Sequence, residues 1–90
     1  MNRAELITEI ADLTGQPKTQ VSSTLSAMLH SITGAVAKGE KVTLVGFGTF
    51  LNRKREARQG RNPRTGETIQ IAAANVPSFK AGKALKDAVN

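Results

Sequence analysis

Cysteine, tryptophan and tyrosine are absent from this 90-residue chain, and histidine occurs once. Without thiols there is no disulfide to staple a small fold and no thiolate to hold a metal, and His30 alone cannot build a zinc site. Also missing are a carboxylate pair, a nucleophile and base set, a phosphate-cradling glycine loop and any metal-ligand spacing. These absences disfavour an enzyme and leave no cofactor to expect. His30 has no acid or nucleophile near it in sequence and reads as an incidental helix-surface residue. No apolar run approaches the roughly 20 residues that span a bilayer, and Met1 to Glu5 carries no apolar signal core. The cytoplasm is therefore the expected location. Aromatic residues amount to three phenylalanines. No basic residues alternate with Phe47, Phe50 or Phe79, so they read as core or subunit interface and not as base-stacking platforms.

Negative charge is scarce as well: seven acidic residues face thirteen basic ones, a net +6. The excess is local. Arg53-Lys54-Arg55-Glu56-Ala57-Arg58-Gln59-Gly60-Arg61-Asn62-Pro63-Arg64-Thr65-Gly66 carries six positive side chains against Glu56, a net +5. Residues 1 to 52 balance four basic against four acidic groups, and residues 67 to 90 add Lys80, Lys83 and Lys86 against Glu67 and Asp87. A segment so poor in apolar side chains cannot offset its own ordering entropy and is expected to be mobile until a polyanion neutralises it. Nucleic acid is the partner that such a concentrated basic arm fits. A membrane surface fits least, because the arm has no apolar side chains to insert. Setting the arm aside leaves about 70 residues for a core in a single domain, which is marginal for a monomer and points to oligomerisation.

Periodicity orders the elements. Asn2 followed three positions later by Glu5 imitates a capping box, and Leu6, Ile7, Ile10, Ala11 and Leu13 continue at helical spacing, predicting a helix from Arg3 to Thr14 closed by Gly15. Pro17 suits the first turn of a second helix. Its stripe of Val21, Leu25, Met28, Leu29, Ile32, Ala35 and Val36 is the strongest periodicity in the chain, and Gly39 ends it. Seven serine, threonine and glycine positions among residues 22 to 34 are mediocre helix formers, so packing must hold this helix. From Lys41 the period falls to two: Val42 and Leu44 form one strand, and Gly46-Phe47-Gly48 leads into a second at Thr49-Phe50-Leu51. A third run, Thr68 to Val76, is expected to pair antiparallel with the second and to stop at Pro77. The basic segment then becomes a protruding hairpin whose tip, Asn62 to Gly66, has proline where fixed φ is wanted and glycine where positive φ is wanted. At about 3.3 Å per residue, ten or so residues per strand make an arm roughly 30 Å long. Phe79 to Val89 reads as a closing helix with Leu85, Ala88 and Val89 inward. The expected fold class is α+β: two N-terminal helices, a three-stranded antiparallel sheet with a long β-hairpin arm, and a short C-terminal helix.

Gly46-Phe47-Gly48-Thr49-Phe50, the arm segment Gly60 to Gly66, and the tail Gly82-Lys83-Ala84-Leu85-Lys86-Asp87-Ala88-Val89-Asn90 together resemble the bacterial HU family of nucleoid-associated proteins, over the length of the chain. Integration host factor, a sister family, shares the pattern, but the tail resembles HU more closely. The resemblance implies one domain over residues 1–90 in an intertwined dimer. Residues 1–40 would form a helical dimerisation base, 41–79 a sheet with a DNA-embracing arm at about 53–74, and 80–90 a C-terminal helix. It further implies that Pro63 wedges between base pairs in the minor groove while Arg61, Asn62 and Arg64 hold the groove edges and phosphates. Arg53, Arg55 and Arg58 would line the groove lower on the arm, Lys80, Lys83 and Lys86 would meet phosphates on a saddle, and Arg3 would be an accessory contact. Three departures stand out: Pro17 in place of a small polar cap, Arg3 in place of lysine, and a second helix rich in serine. No amide or acid cluster suggests base reading in the major groove, so low sequence preference is expected, with bent, nicked or gapped duplexes favoured. The expected function is an architectural, histone-like protein of the nucleoid, a homodimer or a heterodimer with a paralogue. A site-preferring bender like integration host factor and a basic RNA-binding structural protein are the alternatives.

Overall fold

In a computed structural model describing residues 1–90, three helices and five strands follow in the order helix, helix, five strands, helix. The chain divides into two compact units, residues 1–34 and 35–90. In the first, α1 spans Arg3–Thr14, with Asn2 Oδ1 accepting the Glu5 N–H at 2.9 Å. That bond satisfies one of the helix's orphan donors. At the other end Gly15 takes φ 71° and gives its N–H to Ala11 O at 2.9 Å, the left-handed stop a side chain would resist. Helix α2 spans Lys18–Ala37. Pro17 lies one residue before it rather than inside its first turn, its carbonyl accepting the Val21 N–H. Arg3 ties the two helices, donating to Ser26 Oγ at 2.7 Å and to Ser22 O at 3.4 Å. Ala11 and Val21 are the buried apolar residues of the chain, at 7% and 3% exposure. Met28 and Leu29, in the middle of the α2 stripe, remain exposed.

In the second unit, β1 (Val42–Leu44), β2 (Gly48–Arg55) and β5 (Ala74–Ala81) form an antiparallel sheet in the order β1-β2-β5. A separate two-stranded ladder joins β3 (Arg58–Arg61) to β4 (Thr68–Ile71). The expected third strand is thus two strands, and Pro77 does not stop the second of them. Phe47 O accepts the Gly82 N–H at the sheet's base, and Asn52 faces Pro77 five residues further on. Bonded pairs recur every second residue, so that pair is a non-bonded one and the donor proline lacks would point to the free edge of β5. The strand consequently runs on through Phe79, which belongs to the sheet and not to the closing helix. Helix α3 is correspondingly shorter, Lys83–Ala88, and Val89 is 75% exposed instead of facing inward.

Phenylalanines and glycines hold this unit together. The Phe79 ring lies 5.5 Å from Phe47 and 4.8 Å from Phe50, both in tilted geometry. Gly82 N–H and Leu85 N–H donate to Phe47 O and Gly46 O, docking α3 on the connection before β2. Gly46 adopts φ 82°, and a Cβ on Gly48 would run into Phe79 and the Lys80 carbonyl. One residue position, Asn52, is polar within this packing: its Nδ2 donates to Val36 O at 3.1 Å, while its buried Oδ1 has no partner.

Candidate nucleic-acid interface

The arm is built by two strands that keep one register from base to tip. Proximally, Arg53 faces Val76, Lys54 faces Asn75 and Arg55 faces Ala74; distally, Arg58 faces Ile71, Gln59 faces Gln70, Gly60 faces Ile69 and Arg61 faces Thr68. Because side chains alternate between faces, Arg53 and Arg55 share one face of the proximal ribbon and Lys54 lies on the other. In the distal ribbon Gln59, Arg61, Thr68 and Gln70 make a polar face. Arg58, Gly60, Ile69 and Ile71 make the opposite one, where a Cβ on Gly60 would meet Ile71 Cδ1 at 3.0 Å. Sequence reasoning treated the arm as nearly devoid of apolar groups. The return strand supplies two isoleucines, and the signal for them was the alternation of Ile69 and Ile71 already used to identify the strand.

Backbone hydrogen bonds explain the tip. Asn62 N–H donates to Glu67 O and Gly66 N–H donates to Asn62 O, both at 2.8 Å, closing a loop of Pro63, Arg64, Thr65 and Gly66. Asn62 Oδ1 also accepts the Arg64 N–H at 2.9 Å, an Asx turn, and Thr65 Oγ1 accepts the Glu67 N–H at 3.3 Å. Gly66 takes φ 73°, the positive value expected from the sequence. No hydrogen bond of this loop calls on an N–H at position 63, so proline costs none there. Pro63 is exposed at the end of the hairpin, flanked by exposed Arg61 and Arg64. With its oxygen engaged in the turn, Asn62 retains an amide NH2 to donate to outside acceptors.

Arg53, Lys54, Arg55, Arg58, Arg61 and Arg64 are all exposed, so the structure brings the sequence-identified cations onto one hairpin. Arg55 is engaged internally as well, its Nη2 donating to Ala72 O at 3.0 Å. Lys80 lies on β5 opposite Thr49, and Lys83 and Lys86 lie three apart on α3, on the same side of that helix; all three are exposed. Arg3 belongs to the other compact unit, where it bonds to Ser26 and Ser22. No group of three or more His, Asp or Glu side chains is placed to hold a metal, and no helix is long and apolar enough to cross a membrane. The arrangement offers cations, a rigid apolar ring at a tip and a thin ribbon, which together suit a charged groove.

Comparison with known proteins agrees with that chemistry. The family model described as bacterial DNA-binding protein matches residues 1–90. The chain is 57% identical over 90 residues to DNA-binding protein HU-beta of Pseudomonas aeruginosa, covering all of both chains. It is likewise 57% identical over 88 residues to DNA-binding protein HU of Lactococcus lactis, covering 98% of this chain and 97% of that one. Among solved structures, it superposes on HU in an Anabaena HU–DNA cocrystal with a TM-score of 0.90 and 47% identity, over 99% of this chain and 97% of that one. HU from Thermotoga maritima matches over the full length of both chains at a TM-score of 0.71 and 38% identity.

Proposed function

This chain belongs to the bacterial DNA-binding protein family, among whose members are the HU proteins, and from that premise we propose that it is an architectural protein that binds duplex DNA with little sequence preference, bends it through the minor groove and compacts the nucleoid. The arm carries this reading: six exposed cations on a hairpin that ends in an exposed proline. Phosphate neutralisation by Arg53, Arg55, Arg58, Arg61 and Arg64 supplies affinity, since each contact releases condensed counterions. Pro63 supplies the bend. Its ring is rigid and apolar, so it enters between base pairs with little entropy loss and no charge to desolvate. Minor-groove wedging of this kind is the general mode of HU and related architectural proteins, at a cost of a few kcal/mol per unstacked step. Asn62 and Arg64 hold the groove edges beside the wedge. Lys80, Lys83 and Lys86 meet the phosphates of the bent duplex at the sheet, and Arg3 adds an accessory contact through the guanidinium donors not given to Ser26 and Ser22.

A second copy of the chain completes the molecule. A core limited to Ala11 and Val21 is too small for a lone 90-residue chain, whereas Leu29, Phe47 and Phe79, at 47%, 45% and 42% exposure, offer the apolar surface a partner subunit would bury. Two arms then reach around one duplex, with residues 1–40 as the helical base of the dimer, 41–79 as sheet and arm, and 80–90 as the closing segment. The role is a non-enzymatic one in the cytoplasmic nucleoid. Relatives named HU favour this over a site-preferring bender. The test is a titration of linear duplex DNA, the same duplex with a nick, and duplex RNA at several salt concentrations. Tightest binding to the nicked duplex is expected, because it needs least deformation energy. Equal affinity for nicked and linear DNA would remove the bending claim, and tightest binding to RNA would replace the function.

A further inference from the structure

Between the proximal and distal parts of the hairpin the ladder stops for two residues on each strand, Glu56 and Ala57 opposite Ala72 and Ala73. A β-bulge would shift the register by a residue, yet Arg55 faces Ala74 on one side of the gap and Arg58 faces Ile71 on the other. What changes is the phase of hydrogen bonding. Phe47 and Gly82 are bonded at the base and Asn62 and Glu67 at the tip, an odd spacing of fifteen along the outgoing strand, which an unbroken antiparallel ladder does not allow. The gap is therefore a joint where the ribbon turns over without losing its pairing order. One bond crosses it: Arg55, the last residue before the gap, donates from Nη2 to the carbonyl of Ala72 on the returning strand.

We infer that Arg55 is a positioning residue, a strut whose guanidinium closes this joint and sets the direction of the distal arm before any DNA is met. Arginine suits the task because its planar fork holds five donors; one is spent on Ala72 O, and the outward edge stays open to a phosphate. Joint and groove contact are thus compatible in one side chain. A lysine at the same place keeps the charge without the fork. The consequence for bending rests on the DNA-binding reading above, but the strut itself is a property of the free protein, so the two can fail separately.

The test is amide hydrogen exchange by NMR on the free, full-length protein, comparing wild type, Arg55→Lys and Arg58→Gln. Arg55→Lys is expected to raise exchange at distal amides of β3 and β4 by about three- to tenfold, the loss expected for one net hydrogen bond across an opening, while amides of β2 before Arg53 keep their rates. Arg58→Gln, which removes a charge beyond the joint but leaves the strut, is expected to leave distal exchange at the wild-type rate. Wild-type exchange in Arg55→Lys, or an equal rise in Arg58→Gln, would overturn the proposal. With DNA, Arg55→Lys is expected to broaden the distribution of bend angles at an unchanged salt dependence. An unchanged distribution would mean that Arg55 serves only as a phosphate contact, and absence of DNA binding by the wild type would sink the proposed function while leaving the exchange result to stand.

Discussion

Replacing Gly48 with alanine adds one methyl group, and the structure leaves no space for it. The added Cβ would overlap Phe79 Cζ and stand 2.6 Å from Phe79 Cε1 and 2.7 Å from the carbonyl oxygen of Lys80. The first two contacts are with a ring, which can move only by leaving Phe47 and Phe50; the third is backbone in the paired strand, which cannot move without distorting the sheet. Overpacking of this kind costs about 1–3 kcal/mol, and weakening two aromatic pairs adds roughly 0.5–1.5 kcal/mol each. Against this, alanine restricts the unfolded chain and returns about 0.4–1 kcal/mol. The net expectation is a loss of roughly 1–5 kcal/mol centred near 3, and the central value corresponds to a fall in Tm of about 12–24 °C for a domain of this size. Gly34→Ala is the matched control, because a Cβ there meets nothing within 4 Å and the residue lies inside α2. It should stabilise by about 0.5–1 kcal/mol. Both variants are compared with wild type by calorimetry at one fixed protein concentration, since subunit association makes Tm concentration-dependent. A Gly48→Ala protein within about 0.5 kcal/mol of wild type would refute the reasoning, since that is the range of an ordinary surface substitution.

Pro63→Ala should retain most duplex affinity, because the arm cations are intact, but lose bending in a fluorescence assay; retention of the full bend would show the ring to be a turn former only. Arg58→Gln, which in a dimer removes two charges, should make the plot of log affinity against log salt shallower by about 1.8, so that the affinity lost between 50 and 200 mM salt is smaller by about twelvefold. Asn52→Val removes both the Nδ2 bond and the orphaned Oδ1, and Val36 O keeps the Gly39 N–H as a donor, so stability should change by less than about 1 kcal/mol. Asn52→Asp leaves an acceptor that cannot donate to Val36 O and buries charge, and chemical denaturation should show a loss of about 2–3 kcal/mol that shrinks as acid protonates the carboxyl.

Features set by neighbours in sequence were legible without coordinates. The α1 boundaries, the Asn2 cap, the Gly15 and Gly66 turns and the cationic arm each depend on residues within four or five positions of one another, where cap and turn chemistry act. What was missed depends on the partner strand. Pro77 reads as a strand breaker until it is known to face Asn52 at a non-bonded position on an edge strand. Phe79 opens the closing helix on paper, but β5 runs on to Ala81 and α3 starts only at Lys83. The joint at Glu56, Ala57, Ala72 and Ala73 carries no turn residue to announce it, and the Arg55 bond that spans it links positions 17 apart. Gly48 seems an ordinary loop glycine until the Phe79 ring is found lying over it. The identities of the candidate cations followed from charge alone; their distribution over two faces, and the isoleucines beside Gly60, required the register.

The most direct measurement replaces residues 56 to 73 with a two-residue Asn-Gly turn between Arg55 and Ala74, which already face each other across the ladder, and compares duplex curvature by fluorescence with that of the intact protein. The account predicts a dimer of normal stability that binds DNA weakly and leaves it straight. Full curvature from the shortened protein would contradict it, because bending would then belong to the sheet and helices and not to the arm.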